Sequence, residues 1–266
     1  MTCCMQCSRL TRENVSRLNC VPGGLEFEGE NLTGDMSGVV EWHVEMMKRG
    51  MTGRVFSRGD RIRGFVQYMP AETAPIPIIA PGSAVLLCFH YNVAPGEGEN
   101  EHLGVERMMV ERAAQEARSC FGGMTAVGWD HAVHFPIGLL EELGFRQVQR
   151  EGDMALMWLP FAGSARLPEL APQTFHPRDL RREGRVAVDL SYSHRCPYDL
   201  HHRNRIRGLL DEMDPERISY REVQMDTRAQ VLAHRAPSWN WQWLYVNGRE
   251  VAWHQMTKDV LTSGPV

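Results

Sequence analysis

The order of strand and helix signals in this chain predicts an α/β (α+β) protein with two domains: a mixed sheet with helices on both faces, then a small βαβαββ domain. Strand and helix periodicities alternate through residues 38–159, and the pattern stops in a stretch rich in proline and arginine at residues 162–184. A second alternation begins at Arg185. We therefore expect domains at residues 1–161 and 185–266, joined by a solvated linker.

The composition is that of an ordinary globular protein, with 43% hydrophobic and 23% charged residues. A net charge of −4 and a pI near 6.3 argue against a general binder of nucleic acids or membrane surfaces. The sequence contains no apolar run of the ~20 residues that span a bilayer, and its N-terminus lacks the apolar core of a signal peptide. We expect a cytoplasmic protein that can form an oligomer.

The seven cysteines are odd in number and irregularly spaced, which favours free thiols in a reducing cytosol. Cys88 and Cys120 stand among apolar residues and are expected to fill cores. Cys3, Cys4 and Cys7 could share a soft metal ion. A terminus this short is more often frayed, so we predict no metal there.

In the first domain, residues 38–49 have an apolar helix face and are followed by Gly50. Strands are predicted at residues 54–57 and 61–69, with a hairpin turn on Arg58-Gly59-Asp60.

Residues 83–92 are the strongest strand signal and read as central, because half of the run is apolar on both faces. A loop rich in glycine and acidic residues at 95–104 is predicted to open a helix at Val105. The remaining predictions are a strand at 124–127, a helix at 137–143 and a hairpin of 145–149 with 154–159.

The second domain is predicted to begin with a strand at 185–190 and a helix that starts near Pro197 and ends near Met213. The predictions that follow are a strand at 218–225, a helix at 228–234 and a hairpin of 242–246 with 250–253 that turns on Asn247-Gly248.

Residues 86–105 combine a central strand, a glycine-containing loop and a helix, an arrangement that binds anions because the first amides of a helix lack partners. The chain here resembles the GNAT superfamily of N-acetyltransferases, and more closely its subfamily with a YoaP-like C-terminal domain. Further matches are residues 64–72 (GFVQYMPAE), 140–145 (LEELGF) and the Cys-Pro-Tyr at Cys196.

The resemblance implies an N-acyltransferase that moves an acetyl group from acetyl-CoA (coenzyme A) to the amine of a small molecule or a peptide. It also implies a cofactor site at the end of the central strand and the start of the following helix. The positions that it assigns to this site are Val93, His102, Leu103, Gly104 and Val105.

The chain departs from the superfamily loop, which usually reads Arg/Gln-x-x-Gly-x-Gly/Ala. Glu99 replaces the basic or amide residue, and His102 replaces the middle glycine. Together with Glu97, Glu101 and Glu106, Glu99 would repel a pyrophosphate. The alternative function is therefore a catalytically degenerate scaffold that acts as a binding module or a thiol-dependent module.

Acetyl transfer requires a neutral amine and a proton donor for the leaving thiolate. The superfamily often uses a late tyrosine, which is absent from residues 139–140. The remaining candidates are His90, Tyr91, Glu72 and His134. Each candidate also has a purely structural explanation. His90 and Tyr91 could be a hydrogen-bonded pair in the core. Glu72 could be a loop carboxylate that caps backbone amides, and His134 could be a solvated turn residue.

Cys196-Pro-Tyr-Asp199 resembles the glutaredoxin sequence Cys-Pro-Tyr-Cys and adds Cys196 as a candidate catalytic residue of a thioredoxin-like domain. A helix N-terminus stabilises a thiolate, as would His194 and Arg195 if they point inward. Pro237 lies where that fold carries a cis-proline. Because Asp199 replaces the second cysteine, the options are a mixed disulfide with a small thiol, an acyl or metal relay, or no chemistry.

His194, Cys196, His201 and His202 could also bind zinc or copper. Histidine pairs on a helix that carries several arginines are more often solvated surface, so we predict no metal at this cluster.

Overall fold

The computed structural model describes residues 5–18, 37–91, 99–130, 135–163, 165–236, 243–252 and 255–263. The chain divides into two compact units. The first unit comprises Met1–Glu30, His43–Ala74 and Ile78–Leu170; the second comprises Asn31–Trp42, Pro75–Pro77 and Ala171–Val266. No helix within the described ranges is both long enough and apolar enough to cross a bilayer.

The predicted mixed sheet is found in the first unit, where seven described strands follow the order β1-β2-β3-β5-β6-β8-β7. These strands are β1 (Gln6–Arg9), β2 (Thr52–Arg58), β3 (Arg61–Pro70), β5 (Ala84–Tyr91), β6 (Gly123–Trp129), β7 (Arg146–Glu151) and β8 (Met154–Pro160). Two further short strands, β4 (Ile78–Ile79) and β9 (Glu169–Leu170), pair with each other. Among the described pairs of the large sheet, β5 and β6 run parallel and the other neighbours are antiparallel.

Four helices accompany this sheet in the described chain: α1 (Arg12–Val15), α2 (Ser37–Lys48), α3 (Glu99–Ala117) and α4 (Ile137–Glu142). The unit boundary falls within α2, after Trp42. α3 packs across β3 and β5, and α4 packs against β6, β7 and β8. The core beneath α3 and α4 includes Val66, Leu86, Phe89 and Leu140.

Two turns of the first unit lie at the glycines where the sequence predicts them. The hairpin between β2 and β3 turns on Gly59, whose φ is +60°, and Gly144 ends α4 with a φ of +85°. Both prediction and structure depend on the freedom of glycine to adopt a positive φ.

The second unit contains the predicted βαβαββ order and one further helix at its end. Its elements are β10 (Val186–Tyr192), α5 (Pro197–Asp211), β11 (Ile218–Gln224), α6 (Arg228–Ala233), β12 (Leu244–Val246), β13 (Arg249–Glu250) and α7 (Lys258–Ser263). The described strands are ordered β11-β10-β12-β13, with β10 and β11 parallel and β12 antiparallel to β10.

The prediction of a solvated linker at residues 162–184 is wrong for its second half. Phe175 is buried and its ring lies 4.2 Å from that of Trp243, centroid to centroid. Arg178 donates to Asp189 Oδ1 at 2.7 Å and to the Ser219 hydroxyl at 2.9 Å. Proline interrupts helix and strand periodicity without preventing packing, so the sequence pattern concealed these contacts.

Candidate active site

The first candidate site is the opening between β5 and β6. Within the described strands, which are 8 and 7 residues long, the parallel register pairs Ala84 with Met124 and Val85 with Thr125. Beyond these pairs the strands diverge toward their C-terminal ends. Backbone donors and acceptors that a neighbouring strand no longer faces can bind another partner.

A β-bulge on β5 accompanies this divergence. On β3, Gln67 pairs with Cys88. Its neighbour Tyr68 pairs with Leu86, which leaves Leu87 as the extra residue of β5. An extra residue bends its strand and increases the local twist, so the bulge turns β5 away from β6.

Phe135, which follows β6, packs in the core against β5. Its carbonyl accepts the Trp129 N–H at 2.9 Å, and its ring centroid lies 4.5 Å from that of Phe89 on β5. Phe135 is buried and has a φ of +49°, which is uncommon for a bulky residue. The end of β6 is thus joined to β5 by aromatic packing. His134, a sequence candidate, lies outside the described residues.

His90 and Tyr91 lie at the open end of β5 on opposite faces of the sheet, because successive side chains alternate along a strand. Tyr91 is 1% exposed, and the Arg63 guanidinium lies 5.6 Å from its ring centroid. His90 is half-buried and its ring lies 6.5 Å from that of Phe65. Tyr91 therefore lies in the core, as its structural alternative expects, and His90 is partly exposed.

Glu72 lies far from His90 and Tyr91. Its Oε1 accepts the Gly82 N–H at 2.6 Å, at the end of the sheet where Pro70 pairs with Ala84. At about 3.3 Å per residue, the length of β5 separates Glu72 from the open end by about 20 Å. Its role as a loop carboxylate that caps an amide is observed.

α3 begins at Glu99, so the predicted start at Val105 is wrong by six residues. Gly104 and Val105 lie inside the helix, where their amides take part in its hydrogen bonding. Gly104 is exposed, and no atom lies within 4 Å of the position that a Cβ would take. The side chains of His102 and Leu103, and the whole of Val93, lie outside the description.

The second candidate site is the N-terminus of α5, where the prediction of a helix that begins near Pro197 is confirmed. Cys196 is the N-cap residue, with an extended φ of −128°, and Pro197 is the first helical residue. Proline suits this position because its φ is already helical and its missing N–H would have no helical partner. The Cys196 side chain is half-buried. Pro237 lies outside the described residues.

Asp199 is the third residue of α5 and is 1% exposed. Neither carboxylate oxygen has a hydrogen-bond partner of good geometry among the described residues. Burial raises the pKa of this carboxyl well above its ordinary value, and the attraction of the Arg195 guanidinium opposes the rise. Arg195 is itself 7% exposed. Residue type alone could not reveal that a carboxyl beside Cys196 is buried.

Asp226 fixes the segment that leads into Cys196. Its Oδ2 lies 2.6 Å from His194 Nδ1, and its Oδ1 accepts the His194 amide at 2.7 Å and the Ser193 hydroxyl at 3.0 Å. Asp226 could not be found from the sequence, because no spacing pattern links residues 32 positions apart.

No group of three or more His, Cys, Asp or Glu side chains in the described ranges is arranged to hold a metal ion. The rings of His201 and His202 lie 5.6 Å apart. Burial, followed by the positive charges of His201 and Arg205, lowers the pKa of His202 to about 4.

Comparison with family models found no match, and no curated protein matched the chain. Solved structures do match. The chain is similar to a GNAT family acetyltransferase from Brucella melitensis in complex with acetyl-CoA, at 12% identity and a TM-score of 0.43, over 64% of this chain and 97% of the other. It is also similar to an acetyltransferase from Thermus thermophilus, at 17% identity and a TM-score of 0.41, over 58% and 94% of the two chains.

A third similar structure is the ribosomal-protein-S18-alanine N-acetyltransferase from Escherichia coli, at 12% identity and a TM-score of 0.39, over 61% of this chain and 97% of the other. These values describe remote similarity.

Proposed function

We propose that the chain is an N-acetyltransferase of the GNAT type, which transfers the acetyl group of acetyl-CoA to an amine, and that the first unit carries this reaction. The observation that supports this most is the opening between β5 and β6 beyond Val85 and Thr125. A ligand with amide groups can bind in such an opening as an additional strand does, through the backbone of both edges. The pantetheine arm of coenzyme A carries such amides.

The start of α3 suits the phosphates of the same ligand. The amides of the first helical turn, from Glu99, lack partners within the helix, and the helix dipole favours an anion there. Open space at Gly104 lets a ligand approach the second turn closely. His102, Leu103 and Val105 remain proposed cofactor-binding residues beside this turn. The acidic residues nearby weaken binding without abolishing the site.

When bound, acetyl-CoA supplies an activated acetyl group as a thioester. The amine must lose a proton and the departing sulfur must gain one. His90, half-buried at the open end of β5, is proposed to take the proton from the amine. Tyr91 is left out because it is buried in the core on the opposite face of the sheet. Glu72 is left out because it lies at the other end of the strand.

For the second unit we propose a thioredoxin-like architecture of the YoaP-like kind. The order β11-β10-β12-β13, with β12 and β13 closing the sheet as a hairpin, supports this assignment. So does α5, which begins at Pro197 after a short connection from β10 and has Cys196 as its N-cap. A binding or thiol-dependent module without acetyl transfer is the second candidate function.

The test uses the full-length protein. Calorimetric titration with coenzyme A should show saturable binding, and acetyl-CoA with a panel of primary amines (amino acids, a diamine, an aminoglycoside, lysine peptides) should release free thiol. His90→Gln should lower kcat about 100-fold, because a general base contributes about that much, and leave coenzyme A affinity unchanged.

Glu72→Gln is the matched control and should keep full kcat. Absence of coenzyme A binding would contradict the acetyltransferase proposal. Equal losses in the His90 and Glu72 variants would contradict the assignment of the base.

A further inference from the structure

β11 is an edge strand of the sheet in the second unit. It pairs with β10 on one side, and among the described strands none pairs with its other side. At one end of this ladder the Val186 N–H donates to the Arg217 carbonyl at 2.8 Å. At the other end the Met225 N–H donates to the Tyr192 carbonyl at 2.8 Å. The odd-numbered residues of this segment therefore face β10, and the backbone groups of the even-numbered residues point away from it.

Tyr220, Glu222 and Gln224 carry these outward N–H and C=O groups. Within the described chain, no residue forms a hydrogen bond to them. An edge with such groups is a template for a further strand, which binds through its own backbone. β11 is 7 residues long, so it can hold an extended segment of about the same length.

On the face of β11 that shares a core with α6, two arginines share one carboxylate. The buried Asp189 Oδ1 accepts from Arg178 Nε at 2.7 Å and from Arg221 Nε at 2.9 Å. Asp189 Oδ2 accepts from Arg221 Nη2 at 2.9 Å. One negative charge thus faces two positive charges, and this face keeps an excess of one positive charge.

The opposite face of β11 repeats this arrangement. The Glu222 carboxylate accepts from Arg203 Nε at 2.9 Å and from Arg207 Nη2 at 2.6 Å. Before the strand, the exposed Glu216 and Arg217 have opposite charges and balance each other. The edge therefore carries excess positive charge on both faces, which attracts an acidic partner.

A cavity of about 290 Å³ adjoins this edge and is lined by residues 221–224, Phe175, Gln230 and His234. Because consecutive side chains alternate between faces, a cavity lined by four consecutive residues of a strand reaches around its edge. The Arg221 guanidinium lies 4.5 Å from the Phe175 ring centroid. Its Nε and Nη2 are used in the contacts with Asp189, so Nη1 remains for the acceptor of a ligand.

We propose that the edge of β11 is a docking site for an acidic peptide segment in an extended conformation. The segment pairs with the outward backbone groups of Tyr220, Glu222 and Gln224 as a further strand. One of its glutamate side chains enters the cavity, where Arg221 Nη1 donates to the carboxylate. The site lies within the second unit and is independent of the acetyl-transfer proposal.

A second copy of the chain fits this edge less well. Two β11 edges side by side would bring their excess positive charges together, and like charges across an interface are unfavourable. Charged side chains on an edge strand also protect it from pairing with another copy of itself. The charge therefore selects an acidic strand over a copy of β11.

The experiment uses the full-length protein and a fluorescein-labelled heptapeptide of alternating threonine and glutamate. Fluorescence anisotropy should show saturable binding that weakens as salt is added, since salt screens exposed charges. The matched peptide with glutamine in place of glutamate should bind about tenfold more weakly, because it keeps the backbone and loses the charge. The peptide with lysine in those places should not bind.

N-methylated peptides separate strand pairing from charge attraction. A methyl group on the amide of the central glutamate, or on that of the threonine beside it, leaves the charge unchanged and blocks one edge of the peptide. Since alternate residues face alternate edges, one of the two modified peptides should lose binding and the other should keep it. Affinity equal to that of the unmodified peptide in both cases would overturn the proposed pairing.

Two matched pairs of variants test the protein side of the interface. Gln224→Pro removes an outward N–H and should weaken binding about tenfold, whereas Gln224→Ala should bind as the wild type does. Arg207→Gln should weaken binding about threefold, as expected for one exposed charge. Arg249→Gln, on β13 at the opposite edge of the described sheet, should leave the affinity unchanged.

Four outcomes on these proteins and peptides would also overturn the proposal. The first is no saturable binding of the glutamate peptide, and the second is equal affinity for the glutamate and glutamine peptides. Unchanged affinity in Gln224→Pro would place the peptide elsewhere. A dimer in analytical ultracentrifugation that Gln224→Pro dissociates would assign the edge to a second copy of the chain. If Gln224→Pro does not fold, the N-methylated peptides decide the question alone.

Discussion

Asp199 and His202 lie one turn apart on α5, and burial acts against the charged form of each. It raises the pKa of the aspartate well above its ordinary value and lowers the pKa of the histidine to about 4. The cause is the same because desolvation penalises charge of either sign. At neutral pH the His202 side chain is therefore uncharged, and the Arg195 guanidinium is the attractive charge that faces Asp199.

His202 should make the stability of the protein depend on pH. Between pH 4 and about 6.5 the unfolded chain binds a proton at His202 and the folded chain does not. The contribution of His202 to the free energy of unfolding is therefore complete above pH 6.5 and is lost as the pH falls toward 4. We expect a loss on the order of 2 kcal/mol over this range. The free energy of unfolding of His202→Gln, measured with urea, should fall less between pH 6.5 and 4 than that of the wild type.

The exposed His176, in the same unit, supplies the control. The free energy of unfolding of His176→Gln should fall below pH 6.5 by as much as that of the wild type. A decline of equal size in wild type and His202→Gln would assign the acid sensitivity to other groups.

Asn247 combines a positive φ of +46° with a buried hydrogen bond, from the Ala187 N–H to its Oδ1 at 2.9 Å. Asn247→Ala should lower the free energy of unfolding by about 1–3 kcal/mol, because the amide at the start of β10 would lose its acceptor. Gly184→Ala measures the backbone cost alone, since Gly184 has a φ of +71° and no atom within 4 Å of a Cβ. Equal losses in the two variants would mean that the hydrogen bond contributes nothing.

At the scale of elements, α3 shows where prediction from sequence failed. Glycines and acidic residues at 95–104 indicated a loop, yet the helix begins at Glu99. Acidic residues are favoured in a first helical turn because of the helix dipole, so the charge pattern was compatible with either structure. Gly104 lowers helix propensity without preventing a helix of 19 residues.

Gly104 allows helix stability and cofactor binding to be separated. Gly104→Ala should stabilise α3 by about 0.5–1 kcal/mol, since alanine is the better helix former and the site is open. If coenzyme A lies against this turn, the same change should weaken its affinity, as measured by calorimetry. Gly208→Ala, at an exposed position of α5, should stabilise its helix in the same way and leave the affinity for coenzyme A unchanged. Unchanged affinity in Gly104→Ala would move the cofactor away from the second turn.

At the scale of the whole molecule, the sequence predicted what short-range patterns determine. The hydrophobic pattern and the turn glycines predicted the β2–β3 hairpin and the central strand β5, and the Cys-Pro pair predicted the start of α5. Contacts between distant residues were not predictable from periodicity. Asp226 with His194, and Asp189 with Arg178, depend on how strands and loops come together in three dimensions, and a single sequence carries no pattern for that.

The second unit is assembled from three separate stretches of sequence, with Trp42 of α2 donating its indole N–H to the Asp226 carbonyl at 2.9 Å. During synthesis, residues 31–42 leave the ribosome long before their partners at 171–266 exist. A C-terminal fragment cut at Arg185 would lack Trp42, and it would also leave Asp189 without Arg178. The boundary that proline density suggests is thus a poor place to divide the protein, and the second unit is best studied in the intact chain.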